Sequence, residues 1–141
     1  MRRMTDPEAR AFLLDGTRTA KLATVRADGR PHVAPVWFLL DGDDLVFNTG
    51  ESTVKAATIR RDGRVAVCVD DERFPFSYVL VEGTATLSDD LAEVRSWAER
   101  IAARYVGRDR AAVYGERNGV PGEVLVRVRI GRIVGEAAIA E

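Results

Sequence analysis

The segment NTGESTVK, residues 48–55, combines the residue types that bind a phosphate group. It supplies hydroxyls, a glycine and one cation within seven positions: Thr49, Gly50, Ser52, Thr53 and Lys55. A phosphate is held by backbone N–H groups, hydroxyls and a cation that converge on one point, and a helix N-terminus adds a favourable dipole. Arg60 follows at a distance of one or two helical turns. The spacing alone equally allows a second interpretation, in which Ser52 caps a helix and Lys55 is solvated.

A neighbouring segment, VWFLL at residues 36–40, could contact a planar ligand. Trp37 and Phe38 are adjacent, and adjacent residues of a strand point to opposite faces. One ring can therefore join the core while the other needs a partner. A flat aromatic ligand would suit the second ring, and packing within the chain or against another subunit is the alternative.

Metal and nucleophilic chemistry have little support in the sequence. His32 is the only histidine and Cys68 the only cysteine, so no zinc ligand set is present. His32 starts an apolar strand after a proline, and we interpret it as a structural or binding-groove residue rather than a general base. Cys68 lies in the apolar run VAVCVD, which indicates an inert buried thiol. The nucleophile elbow and the Walker sequence are both missing.

Length and charge exclude several classes of function. The 141 residues suit one domain, expected to span 1–141, and 46% hydrophobic residues suffice for a core. The net charge of −1 argues against a general nucleic-acid binder. No apolar run reaches the roughly 18 residues of a membrane span, and the N-terminal arginines precede no apolar stretch, so we expect no signal peptide. A single cysteine fits a reducing cytoplasm.

The hydrophobic pattern predicts many strands and few helices. Helices are predicted at 5–16, 52–62 and 88–105, and a loop with some helical content at 106–122. The predicted strands are 19–25, 31–40, 45–49, 64–71, 77–88 and 123–139. Thr5 and Glu8 have the spacing of a capping box, and Ser88 or Asp89 could cap the main helix. Gly83 indicates a bulge.

These elements indicate a mainly β fold. Hairpin connections between six strands, with one main helix, favour a small antiparallel barrel with peripheral helices, and an α+β sandwich is the alternative. Side chains would fill a barrel of this size. We therefore expect a ligand to bind outside it, in a groove on the surface or between subunits.

The order of these segments resembles the pyridoxamine-5′-phosphate-oxidase-like split-barrel flavoproteins. Within that superfamily the chain looks most like the B-type, F420-dependent flavin/deazaflavin oxidoreductases of actinobacteria. LATVRADGRPHVAPVWF, the lysine of STVK, and IRRDGRVAV carry the resemblance, which covers about residues 8–135. Relatives often have an arginine two positions before the lysine, where this chain has Thr53.

The resemblance implies a six-stranded antiparallel split β-barrel that forms a homodimer, with two cofactor grooves at the subunit interface. It implies a cofactor phosphate beside Lys55 and a ring system along the strand that carries Trp37, and so favours the phosphate interpretation of residues 48–55. The expected cofactor-binding residues are Lys55, Ser52, Thr53, Thr49, Pro35, Val36, Trp37, Phe38, Arg60 and His32. Coenzyme F420 is the expected cofactor and FMN the alternative.

Three functions follow as hypotheses. The first is an F420-dependent reductase that transfers a hydride to a conjugated small organic substrate, with His32, Tyr78 or Arg127 as possible proton donors. The second is an FMN-dependent oxidase of the pyridoxamine phosphate type, although we find no basic cluster for a second phosphate. The third is a non-catalytic carrier of flavin, deazaflavin or haem, in which His32 would be the axial haem ligand. We also expect Arg127 and Arg129, on the outward face of the last strand, to be solvated.

Overall fold

The computed structural model describes residues 1–141 as one antiparallel sheet with four helices. The strands are β1 Arg2–Arg3, β2 Ala20–Val25, β3 Pro31–Val36, β4 Leu39–Asp41, β5 Asp44–Gly50, β6 Arg64–Asp71, β7 Ser77–Ser88 and β8 Glu123–Ala137. The helices are α1 Asp6–Leu14, α2 Val54–Arg61, α3 Leu91–Val106 and α4 Arg108–Asn118. The strand order is β3-β2-β6-β7-β8-β5-β4, and β1 pairs with β8.

The sheet curls into the expected split barrel, but it has eight strands rather than six. The predicted strand 31–40 is interrupted because Trp37 and Phe38 leave the ladder, which separates β3 from β4. The two residues of β1 add the remaining strand. Because β3 and β4 are the two ends of the strand order, the barrel is open between them. The two prolines of β3 thus lie in an edge strand, where a missing N–H donor is tolerated.

A core of 17 buried side chains fills the barrel, as alternation along the strands predicts. Val79, Val81 and Ala85 of β7 face inward, and the register with β8 shifts between Glu82 and Gly83. A Cβ at Gly83 would collide with the carbonyl oxygen of Arg129. The predicted bulge therefore needs glycine, because another strand's backbone lies against it.

The caps of two helices differ from those predicted. Thr5 and Glu8 form the capping box of α1, as expected. Thr53, not Ser52, caps α2, and Asp90, not Ser88 or Asp89, caps α3 by accepting from two backbone N–H groups. The neighbouring hydroxyl and carboxyl residues made these caps ambiguous in sequence. The segment predicted as a loop with some helical content contains the 11 residues of α4.

The outer side of the barrel is covered in one part and exposed in another. Helix α3 packs on β5 and β8, where it buries Val46, Trp97 and Leu125 in a second cluster; we call this the covered face. The outer side of β3, β2, β6 and β7, which we call the bare face, has no helix on it, and Val33 and Val25 are 66% and 51% exposed there. None of the helices combines the length and the hydropathy that a membrane span requires.

Candidate cofactor-binding site

A cavity of about 300 Å³ lies where the covered face meets the end of β3. Five of the residues predicted for the site line it: Pro35, Val36, Trp37, Thr49 and Lys55. Four further residues complete the lining: Asn48, Ala98, Ile101 and Asn118. The wall thus combines β3, β5 and the first turn of α2 with both helices of the α3–α4 pair.

Lys55 presents an unpaired cation to this cavity. It is the second residue of α2, whose start is fixed because the Thr53 hydroxyl accepts from the Ala56 N–H at 3.2 Å. Lys55 is partly buried, forms neither an ion pair nor a hydrogen bond within the chain, and shares the cavity with no carboxylate. An ammonium group in this setting is available to an anionic ligand.

The threonine hydroxyls near Lys55 already donate hydrogen bonds within the chain. The Thr53 hydroxyl donates its one proton to the carbonyl oxygen of Gly50 at 2.9 Å. In its 3.1 Å contact with Thr49, it must therefore accept, and Thr49 must donate. Neither hydroxyl retains a proton for a phosphate. The two threonines instead hold the loop between β5 and α2, and thereby position Lys55.

The remaining predicted residues lie elsewhere. Ser52 is exposed, and Arg60 points away from the cavity to donate to the carbonyl oxygen of Glu51 at 2.8 Å. His32 faces inward on β3 opposite Thr24, and its Nδ1 is buried without a partner. The structure therefore does not bring these three side chains to Lys55.

Phe38 and Trp37 point to different sides, as expected of adjacent residues, but both lie between β3 and β4 rather than in a strand, and Phe38 does not line the cavity. Phe38 is fully buried in the core. Its N–H donates to the Tyr105 hydroxyl at 3.3 Å and its carbonyl oxygen accepts from Arg104 at 2.8 Å, so its backbone is engaged by α3. Trp37 stacks on Tyr105, with ring centroids 5.0 Å apart and an interplanar angle of 5°.

Tyr105 makes the Trp37 wall of the cavity rigid. Its hydroxyl donates to the carbonyl oxygen of Arg18 at 2.8 Å while accepting from Phe38. Burial raises the pKa of Tyr105, so the hydroxyl stays protonated and able to donate. The partner of Trp37 is thus within the chain, which was the alternative interpretation of the aromatic pair.

Sequence reasoning missed the two carboxamides of the cavity. Asn48 donates from Nδ2 to the carbonyl oxygen of Val94 at 3.2 Å. Asn118, the last residue of α4, makes no side-chain hydrogen bond within the chain. Asn48 is the first residue of the segment 48–55 and could have been included among its candidate ligands. Asn118 had no sequence signal, because its segment was predicted as a loop.

The candidate proton donors lie outside the cavity. Arg127 is held at 2.8 Å by Asp41 and at 3.1 Å by Glu93, and these bonds raise its pKa. Arg129 is exposed and pairs with Asp44 at 2.7 Å. Tyr78 lies at the start of β7, and none of these side chains lines the cavity.

A larger depression of about 550 Å³ lies on the bare face. Small and apolar residues such as Ala23, Val25 and Ala66 line much of it. Arg64 at its margin is paired with Asp62 at 2.7 Å, and that bond lowers the pKa of Asp62 to about 2. Glu82 and Arg132 also line the depression, so charges of both signs surround its small and apolar residues.

A family model described as pyridoxamine 5′-phosphate oxidase matches residues 5–135. The chain belongs to the pyridoxamine 5′-phosphate oxidase family. This confirms the resemblance and agrees with the split barrel. An F420H(2)-dependent biliverdin reductase of Mycobacterium tuberculosis (strain CDC 1551 / Oshkosh) is 32% identical over 142 residues, which is 99% of this chain and 93% of that protein.

Two solved structures show how widely the fold of this family is shared. A conserved hypothetical protein from Mycobacterium tuberculosis superposes with a TM-score of 0.79 at 24% identity, over 92% of this chain and 82% of that one. A structure described as an F420 reductase gives a TM-score of 0.68 at 28% identity, over 86% and 92% of the two chains. The fold expected from the sequence is thereby confirmed.

Proposed function

We propose that this chain is an F420-dependent oxidoreductase, a reductase that acts on a conjugated small organic molecule. The observation that carries the proposal is the unpaired ammonium of Lys55 in a cavity without carboxylates. Similarity to an F420H(2)-dependent biliverdin reductase over nearly the full chain supports the choice of coenzyme.

The residues present fit the phosphate of such a coenzyme. Lys55 supplies a free cation, and the helix dipole of α2 adds to its attraction for an anion. A volume of about 300 Å³ is at the lower end for ligand pockets. A phosphorylated tricyclic coenzyme must therefore extend out of the cavity, along Pro35, Val36 and Trp37 at its rim.

Bound coenzyme would supply the hydride, and the chain supplies position and electrostatics. Lys55 binds the anionic group. The stacked pair Trp37–Tyr105 gives a fixed wall, and Ala98 and Ile101 exclude water from one side of the cavity. The fixed geometry limits the approach of the substrate to one face, which is how a binding site accelerates transfer between two held molecules.

We further propose that the chain acts as a homodimer whose second copy covers the bare face. The strand registers place Val33, Ala23, Ala66 and Glu82 in one outward row, and Pro35, Lys21, Cys68 and Leu80 in the next. Six of these eight side chains are uncharged and small or apolar, and a largely apolar exposed surface with charged residues among it is typical of an interface. Pro35 belongs both to this surface and to the cavity rim, so a second copy would lie beside the cavity and extend it into a groove.

The test is titration of the purified protein with F420, FMN and haemin, followed by quenching of tryptophan fluorescence. Trp37 lies at the cavity wall, so a ligand there should quench it. We expect F420 to bind, and Lys55→Ala to weaken it by about 1.5–3 kcal/mol, roughly tenfold to a hundredfold, the size of a charge-assisted contact.

Arg60→Ala is the matched control, because it removes the same charge close by but outside the cavity. It should change the affinity for F420 by less than about twofold, since exposed charges are screened at physiological salt. Equal losses in the two variants, or binding of haemin alone, would contradict the proposal.

A further inference from the structure

We infer that the cavity selects a phosphodiester over a phosphomonoester, with Asn118 and Asn48 as neutral partners beside a single cation. The inference rests on the proposed function, because it concerns the anionic group of the coenzyme. The phosphate of F420 is a diester, whereas that of FMN is a monoester. The residues of the cavity thus distinguish the two cofactors that the sequence left open.

The charge within the cavity comes from one residue. Lys55 is the only ionisable side chain in its lining. Arg60, one of the nearby cations, is turned toward the carbonyl oxygen of Glu51. A phosphodiester carries one negative charge, whereas a monoester carries about −1.5 to −2 at neutral pH. One ammonium balances the first and leaves the second with buried excess charge.

The two carboxamides offer hydrogen bonds without charge. Asn48 uses one N–H on the carbonyl oxygen of Val94, which leaves its other N–H and its Oδ1 available. Asn118 has its whole amide free. Because the hydroxyls of Thr49 and Thr53 already donate within the chain, the side-chain donors left in the cavity are Lys55, these two amides and the indole N–H of Trp37, and only Lys55 among them is charged.

Close packing of α4 fixes Asn118 in this position. A Cβ on Gly115 would lie 3.0 Å from the Cβ of Glu99, and one on Gly119 would lie 2.7 Å from the Cα of Arg95. Glycines four residues apart therefore allow α4 to lie directly against α3. The same packing brings the C-terminal end of α4, with its partial negative charge, to the cavity, which further disfavours a dianion.

The test compares the dissociation constants of F420, FMN and riboflavin in wild-type protein and in Asn118→Lys, by tryptophan quenching. We expect wild-type protein to bind F420 at least about tenfold more tightly than FMN, the difference between a balanced and an unbalanced charge. Asn118→Lys adds a second cation, so the affinity for FMN should rise about tenfold and that for F420 less than about threefold. Riboflavin, which has no phosphate, should be unaffected.

Ala112→Lys is the control, since it adds the same charge to an exposed position of α4 outside the cavity. It corrects for the general attraction between an added positive charge and the carboxylates and phosphates of the ligands. Asn118→Asp is the converse variant and should weaken FMN more than F420. If only one of Asn118→Lys and Asn118→Asp folds, that variant alone is sufficient to compare the affinities for F420 and FMN with those of wild-type protein.

The outcomes separate the inference from the proposed function. A ratio of F420 to FMN affinity near one in wild-type protein, or a ratio that Asn118→Lys changes no more than Ala112→Lys does, overturns the inference and leaves the Lys55 site standing. Failure of wild-type protein to bind either phosphorylated cofactor overturns the proposed function, and this inference with it.

Discussion

The two outer faces of the barrel differ in how far their apolar side chains are shielded from water. On the covered face, Val46 and Leu125 are fully buried beneath Trp97 of α3. On the bare face, Val33, Val25 and Leu80 stand 66%, 51% and 43% exposed. Both faces are built by alternating strands, and only one carries a helix of its own chain. The difference indicates that the covered face stabilises the fold, while the bare face is available for association.

The candidate site lies at the boundary between these faces. Ala98, Ile101 and Asn118 reach it from the α3–α4 pair, whereas Pro35 reaches it from the edge strand of the bare face. A site in this position depends on both faces. Variants of one face should therefore change folding, and variants of the other should change association.

The largest effect of a substitution is expected on the covered face, where it should lower the stability of the fold. Trp97 is 5% exposed, and Trp97→Ala should lower the free energy of unfolding by about 3–5 kcal/mol, because it leaves a cavity under α3. Urea denaturation monitored by circular dichroism measures it. Val113→Ala, at an exposed position of α4, is the control and should change stability by less than about 0.5 kcal/mol. A loss for Trp97→Ala as small as that for Val113→Ala would show that the packing of α3 contributes little to stability.

The second largest effect is expected on the bare face, where a substitution should weaken self-association. Val33→Glu places a charge in the proposed dimer interface and should weaken self-association by at least about 2 kcal/mol, roughly thirtyfold. Sedimentation equilibrium measures it. Val113→Glu is a close control, because Val113 is 64% exposed and lies on α4. A wild-type protein that remains a single chain at high concentration, or two variants that behave alike, would contradict the assignment of the bare face.

The reactivity of the single thiol gives a second measure of whether the bare face is covered by another copy of the chain. Cys68 lies in the outward row with Leu80, and burial raises its pKa. Its reaction with a thiol reagent at neutral pH should therefore be slow. The reaction should accelerate in Val33→Glu, in which the second copy no longer covers it.

The smallest effect is expected where the covered face meets the site. Tyr105→Phe keeps the stacking on Trp37 but removes the hydroxyl shared by Phe38 and Arg18. It should lower stability by about 1–2 kcal/mol, because a buried N–H loses its acceptor. Tyr78→Phe is the control, since the Tyr78 hydroxyl makes no hydrogen bond in the chain. The free energy of unfolding of both variants is measured by urea denaturation. An equal loss in the two variants would contradict a structural role for the Tyr105 hydroxyl.

The sequence predicted the parts of the fold that depend on local pattern. Alternation identified the main strands, and Gly83 marked the bulge, because both are properties of a few neighbouring residues. The cap of α2 was misplaced by one residue, since Ser52 and Thr53 are both good caps and only the loop geometry chooses. Residues 31–40 were predicted as one strand, because nothing in the local pattern shows that Trp37 and Phe38 leave the ladder.

The site was predictable only in part, for a related reason. Lys55 and Thr49 lie close in sequence, and the resemblance supplied Pro35, Val36 and Trp37. Contributions from the helix pair could not be predicted, because Asn118 is brought to the cavity only through the packing of α4 on α3. Arg60 and Ser52 were included because they lie near Lys55 in sequence, yet neither lines the cavity: Arg60 donates to the carbonyl oxygen of Glu51, and Ser52 is exposed.

The most direct test of the account is a crystal structure of the protein grown with F420. We expect two chains associated through the bare face, and a coenzyme phosphate oxygen within hydrogen-bonding distance of the Lys55 Nζ. Coenzyme bound away from Lys55, or a lone chain whose Lys55 ammonium points into solvent, would contradict it.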